Sequence, residues 1–356
     1  MRPKAFPVRS NPKLEDIARE AGVNRSTVSL ALRDHPRISL ERRQQVQAIA
    51  KRLGYRINPL VAALMQSRRS RSRPRNVVIG YLTNYPTRYG WRPTHHARPD
   101  YFPGAVERAA ELGYKLEHFW MGEPGMTPER MSDILTVRGI HGILLGRLPP
   151  GHQSLRLLWE RFSCVALGRT LVEPDPHRVA EDFFASASIA MEELVKRGYR
   201  RIGLVFTEFD DSPVVGSLWT GSYFAELFKH RLVGVTEPLA YEDEADHTER
   251  FAAWYRQQRP DAILATRPEA AMRWLSELGL KAPRDVGLAS VGLRYGDGRH
   301  SGVYCDPAKL GGLAAEILVG LMQRGETGLP ADPYEVLIPG HWVEGETVAR
   351  RIKSGR

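Results

Sequence analysis

The chain has 356 residues and a formal charge of +10, from 51 Lys or Arg against 41 Asp or Glu. That length exceeds the ~250–300 residues at which a single hydrophobic core stops growing, so at least two domains are expected. The N-terminal stretch carries Pro3, Pro7 and scattered charges rather than a signal peptide's apolar core, and no run approaches the ~18 uninterrupted apolar residues of a membrane span, so a cytoplasmic location is expected.

The two cysteines, Cys164 and Cys305, are far apart and belong to no CxxC pattern. Neither a disulfide framework nor a zinc site is expected from them, and both are read as reduced and inert. The charge is uneven: residues 1–75 hold 18 Lys or Arg against 5 Asp or Glu, leaving 33 against 36 in the rest. A basic N-terminus on a slightly acidic body favours a polyanionic partner for that end, because each phosphate neutralised releases condensed counterions.

In chain order, the first structured stretch is LEDIAREAGVNRSTVSLALRDHP, residues 14–36. Leu14, Ile17, Ala18 and Ala21 form one stripe of a short helix, and Gly22 follows where helices commonly end in a left-handed residue. Asn24 suits an N-cap, and Val28, Ala31 and Leu32 supply the apolar face of a second helix. Arg25, Ser26, Ser29, Leu30 and Arg33 then point outward. Ser39 suits the cap of a third helix, whose stripe of Val46, Ile49, Ala50 and Leu53 closes a small all-α core before Gly54. Two helices joined by so short a turn predict a helix-turn-helix, whose second helix enters the major groove with its N-terminal residues at the base edges.

Through LEDIAREAGVNRSTVSLALRDHPRIS and AIAKRLGYRINPLVAALM, the chain resembles the LacI/GalR family of transcriptional regulators, closely over residues 14–66 and more weakly beyond. The resemblance places Arg25, Ser26 and Leu30 where family members read bases, with Thr27 and Ser29 nearer the phosphates. Arg25 suits a bidentate contact to guanine. Lys13 departs from the family, standing where a Thr usually caps the first helix. In NPLVAALMQ, residues 58–66, Asn58 is a cap and Pro59 a first-turn residue of a segment too short to be helical alone. The resemblance makes it a hinge helix that pairs with its dimer mate in the minor groove, with Leu64 as the wedge between base pairs. SRRSRSRPR, residues 67–75, reads as a polar linker whose five arginines add salt-sensitive DNA affinity or act only as a spacer.

From residue 76, VVIGYL, a helix near 102–112, GILL, CVAL, a helix at 183–197, RIGLVF, DAILAT, a helix at 268–278 and VGLASVGL alternate strand and helix. This predicts parallel sheets flanked by helices, in two lobes. The resemblance implies an α/β periplasmic-binding-protein-like sensor that closes on a ligand. The expected organisation is a basic tail at 1–12, the head at 13–57, hinge and linker at 58–75, an effector-binding and dimerisation domain at 76–345 and a C-terminal tail at 346–356.

Ligands of open parallel sheets sit beyond the strands' C-terminal ends. The candidates there are Thr83, Asn84, Arg147, Arg169, Glu208, Arg267 and Arg294, joined by Asp182, Trp219 and, in the loop at residues 84–102, Tyr85, Trp91, Tyr101 and Phe102. The resemblance implies polar anchors for neutral sugars at three places where this chain has Arg294, Leu218 and Arg267. Arginines suit carboxylate or phosphate, so a sugar acid or sugar phosphate is one expectation. A neutral sugar, or arginines paired with Asp182, Asp297 or Asp306 in a changed or vestigial site, are the others. His95 and His96 are adjacent and lack companions at ligand spacing, and no catalytic motif stands out, so neither metal, cofactor nor enzymatic activity is expected. The expected partners are a near-palindromic double-stranded operator, a small-molecule effector and a second copy of the chain, the protein acting as a repressor. An architectural DNA binder with a vestigial sensor, and a DNA-tethered carbohydrate enzyme, are the competing readings.

Overall fold

A computed structural model describes residues 14–32, 38–53, 77–92, 100–149, 151–210, 215–232, 237–242 and 247–350. The chain divides into two compact units, Met1–Arg75 and Asn76–Arg356. Lys13, Arg33, Asn58, Leu64 and the arginine-rich linker, all singled out above, lie outside the described residues.

The first unit contains α1 (Leu14–Ala21), α2 (Arg25–Ala31) and α3 (Leu40–Leu53). Ile17, Ala18, Ala21, Val28, Ala31, Val46 and Ala50 form its buried core, with Leu14, Leu32, Ile49 and Leu53 packed at the edge. Gly22 adopts φ +62°, the left-handed conformation that ends α1 and turns the chain toward α2. Asn24 occupies the N-cap position of α2 with extended backbone but makes no side-chain cap hydrogen bond. The cap expected of Asn24 is therefore positional only. Ser39 does cap α3, its Oγ accepting from the Arg42 amide at 3.4 Å.

The second unit holds two six-stranded sheets. In chain order its elements are β1 (Val77–Thr83), α4 (Phe102–Glu111), β2 (Tyr114–Trp120), α5 (Pro128–Val137), β3 (Gly142–Leu145), β4 (Ser163–Leu167), β5 (His177–Glu181), α6 (Phe183–Lys196), β6 (Ile202–Thr207), α7 (Leu218–Lys229), β7 (Leu239–Tyr241), α8 (Thr248–Gln258), β8 (Ala262–Ala265), α9 (Pro268–Glu277), β9 (Gly287–Leu293), β10 (Ser301–Tyr304), α10 (Pro307–Arg324), β11 (Glu335–Ile338) and β12 (His341–Val343). The first sheet runs β11-β5-β4-β3-β1-β2 and the second β12-β10-β9-β8-β6-β7. Every pairing is parallel except β10 with β12.

Each sheet is covered on both faces, which explains why its strands read as continuous apolar runs rather than alternating ones. In β8, Ala262 and Leu264 join one core while Ile263 and Ala265 join another. In β1, Ile79 and Tyr81 face α4 and α10, and Leu82 packs with Met131, Leu135 and Phe162 on the other side. Helices α4 and α10 meet at backbone distance: a Cβ on Gly104 would lie 2.0 Å from the Ala308 oxygen, and one on Gly311 2.0 Å from the Tyr101 oxygen. Only glycine fits at either place.

The chain passes between the lobes three times, at β5 to α6, β10 to α10 and β11 to β12. Two of these passages begin with a capped helix, Asp182 accepting from the Ala185 amide at 2.8 Å and Asp306 from the Ala308 amide at 2.9 Å. Thr347 and Val348, inside the stretch expected to be a tail, are buried in the second lobe, where the Thr347 hydroxyl donates to the Leu288 carbonyl at 2.6 Å. Among the described residues no helix is long and apolar enough to cross a membrane.

Candidate functional site

On the head, α2 carries the candidate DNA-reading residues. Arg25 and Ser26 are exposed, while Thr27, Ser29 and Leu30 are half-buried between the core stripe and solvent. Arg25 reaches back to Glu15 on α1, Nη1 to Oε1 at 3.0 Å, with the two side chains 66% and 51% exposed. Arg52 and Glu20 form a second pair, between α3 and α1.

The second unit has one pronounced cleft among its described residues, between the two sheets and beyond their strand ends. Arg147 comes just after β3, Arg169 after β4, Asp210 after β6, Arg267 after β8 and Arg294 after β9, with Glu181 ending β5 and Cys305 following β10. Six of the thirteen candidates therefore meet there: Tyr101, Arg147, Arg169, Trp219, Arg267 and Arg294.

The other seven do not. Trp91 is buried in the first lobe's core, its ring 5.2 Å from Tyr81, 5.0 Å from Phe102 and 5.0 Å from His118. Its backbone lies in a turn, while its side chain folds inward and Nε1 donates to the Arg88 carbonyl at 3.1 Å. Tyr85 is buried in the same core, and of the four loop aromatics only Tyr101 lines the cleft. Asp182 spends its carboxylate on the cap of α6, and Asn84 is not among the lining residues. Thr83 is buried against His118, Oγ1 to Nε2 at 2.7 Å, and Glu208 is exposed outside the cleft lining.

The cleft arginines meet carboxylates other than those expected. Arg267 forms a two-point pair with Asp210, Nε to Oδ2 at 3.1 Å and Nη2 to Oδ1 at 3.3 Å. Arg169 is paired with Glu335 of β11 and donates to the Val215 carbonyl at 3.5 Å. Arg147 stands against Tyr101 and Glu181: burial works against its charge, yet those oxygens hold its pKa above the ordinary guanidinium value. Burial conversely raises the Glu181 carboxyl above the usual range, opposed by Arg147 and by the Tyr101 hydroxyl, which donates to it at 3.3 Å. Asp182 and Asp306 are helix caps and Asp297 pairs with Arg299, so none of the three takes the role foreseen for it. Arg294 lines the cleft with its guanidinium 4.9 Å from the Tyr295 ring centre.

Some hydrogen-bonding capacity at this site is left over. Arg169 Nε, Thr266 Oγ1 and Glu335 Oε1 are buried and have no hydrogen-bond partner among the described residues. Such atoms cost stability unless something pairs with them. One wall is aromatic, Phe183 and Trp219 lying 4.7 Å apart at their ring centres. Glu181, Asp210, Thr266 and Phe183 escaped sequence reasoning; each sits within three residues of a strand end, a signal present in the pattern but shared with many structural positions.

Among the described residues, a three-helix head is followed along the chain by a two-lobed α/β unit with a polar cleft. Residues 13–58 match the bacterial regulatory proteins of the lacI family, and residues 191–348 match the periplasmic binding protein-like domain. The chain thus joins a helix-turn-helix domain that matches the lacI family to a domain that matches the periplasmic binding protein-like family.

Its curated relatives include the NTD biosynthesis operon regulator NtdR of Bacillus subtilis (strain 168), 24% identical over 202 residues, which are 55% of this chain and 55% of that one. Another is the HTH-type transcriptional regulator GntR of Escherichia coli (strain K12), 23% identical over 334 residues, 90% of this chain and 95% of that one. The matched region spans about half the length of NtdR, 55%, and of a Mycolicibacterium smegmatis HTH-type regulator, 50%. Solved structures agree in fold. The transcriptional regulator CelR–cellobiose complex has a TM-score of 0.56 at 22% identity, covering 95% of this chain and 100% of that one. The lac repressor dimer bound to operator and the anti-inducer ONPF has 0.54 at 18% identity, covering 96% and 100%.

Proposed function

We propose that this protein is a dimeric, sequence-specific transcriptional repressor whose two lobes close on a small polyhydroxylated effector, a sugar or sugar acid. The observation that carries the effector half is the cleft itself: buried, unpaired donors and acceptors beside an aromatic wall, between two sheets that the chain joins by three passages. Sugars present hydroxyls to such atoms and a C–H face to such a wall.

Charge narrows the class further. Among the described residues, Arg147, Arg169, Arg267 and Arg294 gather with Glu181, Asp210 and Glu335. Arginine suits a carboxylate, so a sugar acid is the leading choice and a neutral sugar the second, the latter favoured by the pairing of Arg169 and Arg267 within the protein. Cys305 is no rival nucleophile, since burial pushes its thiol up to about 12.

On the DNA side, Arg25, Ser26, Thr27, Ser29 and Leu30 read the major groove of a near-palindromic operator, and Asn58 and Leu64 belong to the hinge in the minor groove. The ligand acts by favouring one pose of the lobes, for which a difference of ~1–3 kcal/mol between DNA-competent and incompetent states suffices. No catalytic step is assigned to the cleft.

The test is selection of bound duplexes from a random pool by the full-length protein at near-physiological salt, with Leu64→Ala alongside. A two-fold symmetric motif that the substitution weakens is expected. Salt-sensitive binding without an enriched motif would favour an architectural DNA binder instead. Thermal melting against panels of sugar acids, neutral sugars and sugar phosphates then tests the effector, with Arg294→Asp abolishing the response to acids; an intact response would remove Arg294 from the site.

A further inference from the structure

Helices α6 and α7 pack side by side in the second lobe, and a cluster between them is used by neither the DNA reading nor the cleft. Glu226 lies on α7 and His230 caps it four residues later, so the two share a helix face. Glu192 comes from α6, and one ligand atom of each of the three lies within 4.8 Å of the others.

The Glu226 side chain is only 6% exposed. Its Oε1 is occupied, accepting from Ser188 Oγ at 2.7 Å and Lys229 Nζ at 3.2 Å. Its Oε2 is 3.1 Å from His230 Nε2, yet the pair is not aligned as a hydrogen bond, and neither atom has a hydrogen-bond partner among the described residues. A buried carboxylate oxygen facing a buried ring nitrogen with no aligned proton between them is costly. It is also the placement two neighbouring ligands of one cation adopt: atoms held about 2.0–2.2 Å from a metal lie roughly 3 to 3.4 Å apart.

We propose that Glu192, Glu226 and His230 bind a divalent transition-metal cation of the zinc or manganese class. One imidazole with two carboxylates suits such ions, whereas magnesium and calcium prefer oxygen alone. The Ser188 hydroxyl fixes the Glu226 carboxylate from behind, as the groups around metal ligands commonly do. Lys229 is the competitor. Its ammonium lies 2.6 Å from Glu192 Oε1 and 3.2 Å from Glu226 Oε1, and its half-exposed side chain is free to turn into solvent as the cation enters. A bound ion would tie α6 to α7.

Full-length protein, stripped with a chelator and then freed of it, is titrated calorimetrically with zinc, manganese and magnesium chlorides and melted in parallel. The expected result is one zinc or manganese ion per chain, with a raised melting temperature and no comparable effect of magnesium. His230→Ala should weaken this uptake by about tenfold or more. Lys229→Met, which removes the competing ammonium and leaves every proposed ligand, should tighten it. The chain has 11 histidines, so uptake unchanged by His230→Ala would put the metal elsewhere and overturn the assignment. Failure of both the native protein and Lys229→Met to take up a stoichiometric ion would overturn it as well.

Discussion

Arg25, which opens α2, and the arginines of the cleft have the same chemistry in opposite surroundings. Arg25 and Glu15 hold each other with side chains 66% and 51% exposed, whereas Arg267 and Asp210 are 19% and 20% exposed and Arg169 and Glu335 are 21% and 25% exposed. A solvated pair contributes ~0–1 kcal/mol, so Arg25 can trade Glu15 for a base edge at little cost. A desolvated pair is different, because removing one member strands the other's charge away from water. The head's cation is poised for exchange. Two of the cleft's, with Arg147 held by Glu181 and Tyr101, are fixtures that define the shape and polarity a ligand meets.

The largest effect is expected where that contrast is sharpest. Asp210→Ala should lower stability by up to ~3–5 kcal/mol, seen as a shifted denaturant midpoint, by leaving Arg267 unpaired. Replacing both, Arg267→Met with Asp210→Leu, should recover most of the loss. A single-variant cost below about 1 kcal/mol would make the cleft pair as expendable as the surface one, and the contrast would fail.

Arg25→Ala comes next and should reverse the pattern. Binding should lose ~1–3 kcal/mol at one operator position while folding stability changes by about 0.5 kcal/mol or less. Uniform loss on all DNA would mean that Arg25 meets phosphate rather than a base. Glu15→Ala sharpens the same point with the opposite sign. It frees Arg25 of its competitor, so DNA affinity should rise slightly, read from titrations of one operator duplex.

A pH-dependent effect concerns a group that burial keeps neutral, with neighbouring cations adding to it. Burial pushes His118 down to about 4, and Arg88 and Arg92 push in the same direction. Its ordinary value is ~6.5, so on acidification the unfolded chain takes the proton first. Stability should therefore fall as pH drops from about 6.5 through about 4, and His118→Asn should flatten that slope in urea titrations across the window. A slope unchanged by the substitution would assign the loss to other groups.

Periodicity made the helical head legible: the stripe from Ile17 to Ala21, the turn at Gly22 and the cap at Ser39 needed only local chemistry. The apolar runs GILL and RIGLVF gave β3 and β6 for a related reason, being strands buried on both faces. Strands such as β2, YKLEHFW, stayed hidden because an edge position mixes charge with apolar residues. In the cleft, strand ends located the arginines but not their partners. Glu335 lies 166 residues from Arg169, and only the return of β11 to the first sheet brings them together. Trp91 misled for the converse reason: a loop aromatic resembles a ligand platform until tertiary packing shows it filling a core. The cluster of Glu192, Glu226 and His230 went unread in the sequence, because it is assembled from two helices.

The three passages between the lobes also bear on how the protein is made. The described helices of the head end at Leu53, while the first sheet waits for β11 at Glu335–Ile338 and the second for β12 at His341–Val343. At about 5–20 residues per second of synthesis, roughly 15–60 s separate the two events. During that interval the ribosome displays a finished basic module ahead of an open sensor edge, β5 unpaired on one side. A chain released early would keep the small core of α1, α2 and α3 and lose strands from both sheets at once, so premature termination should leave a folded head beside an incomplete cleft.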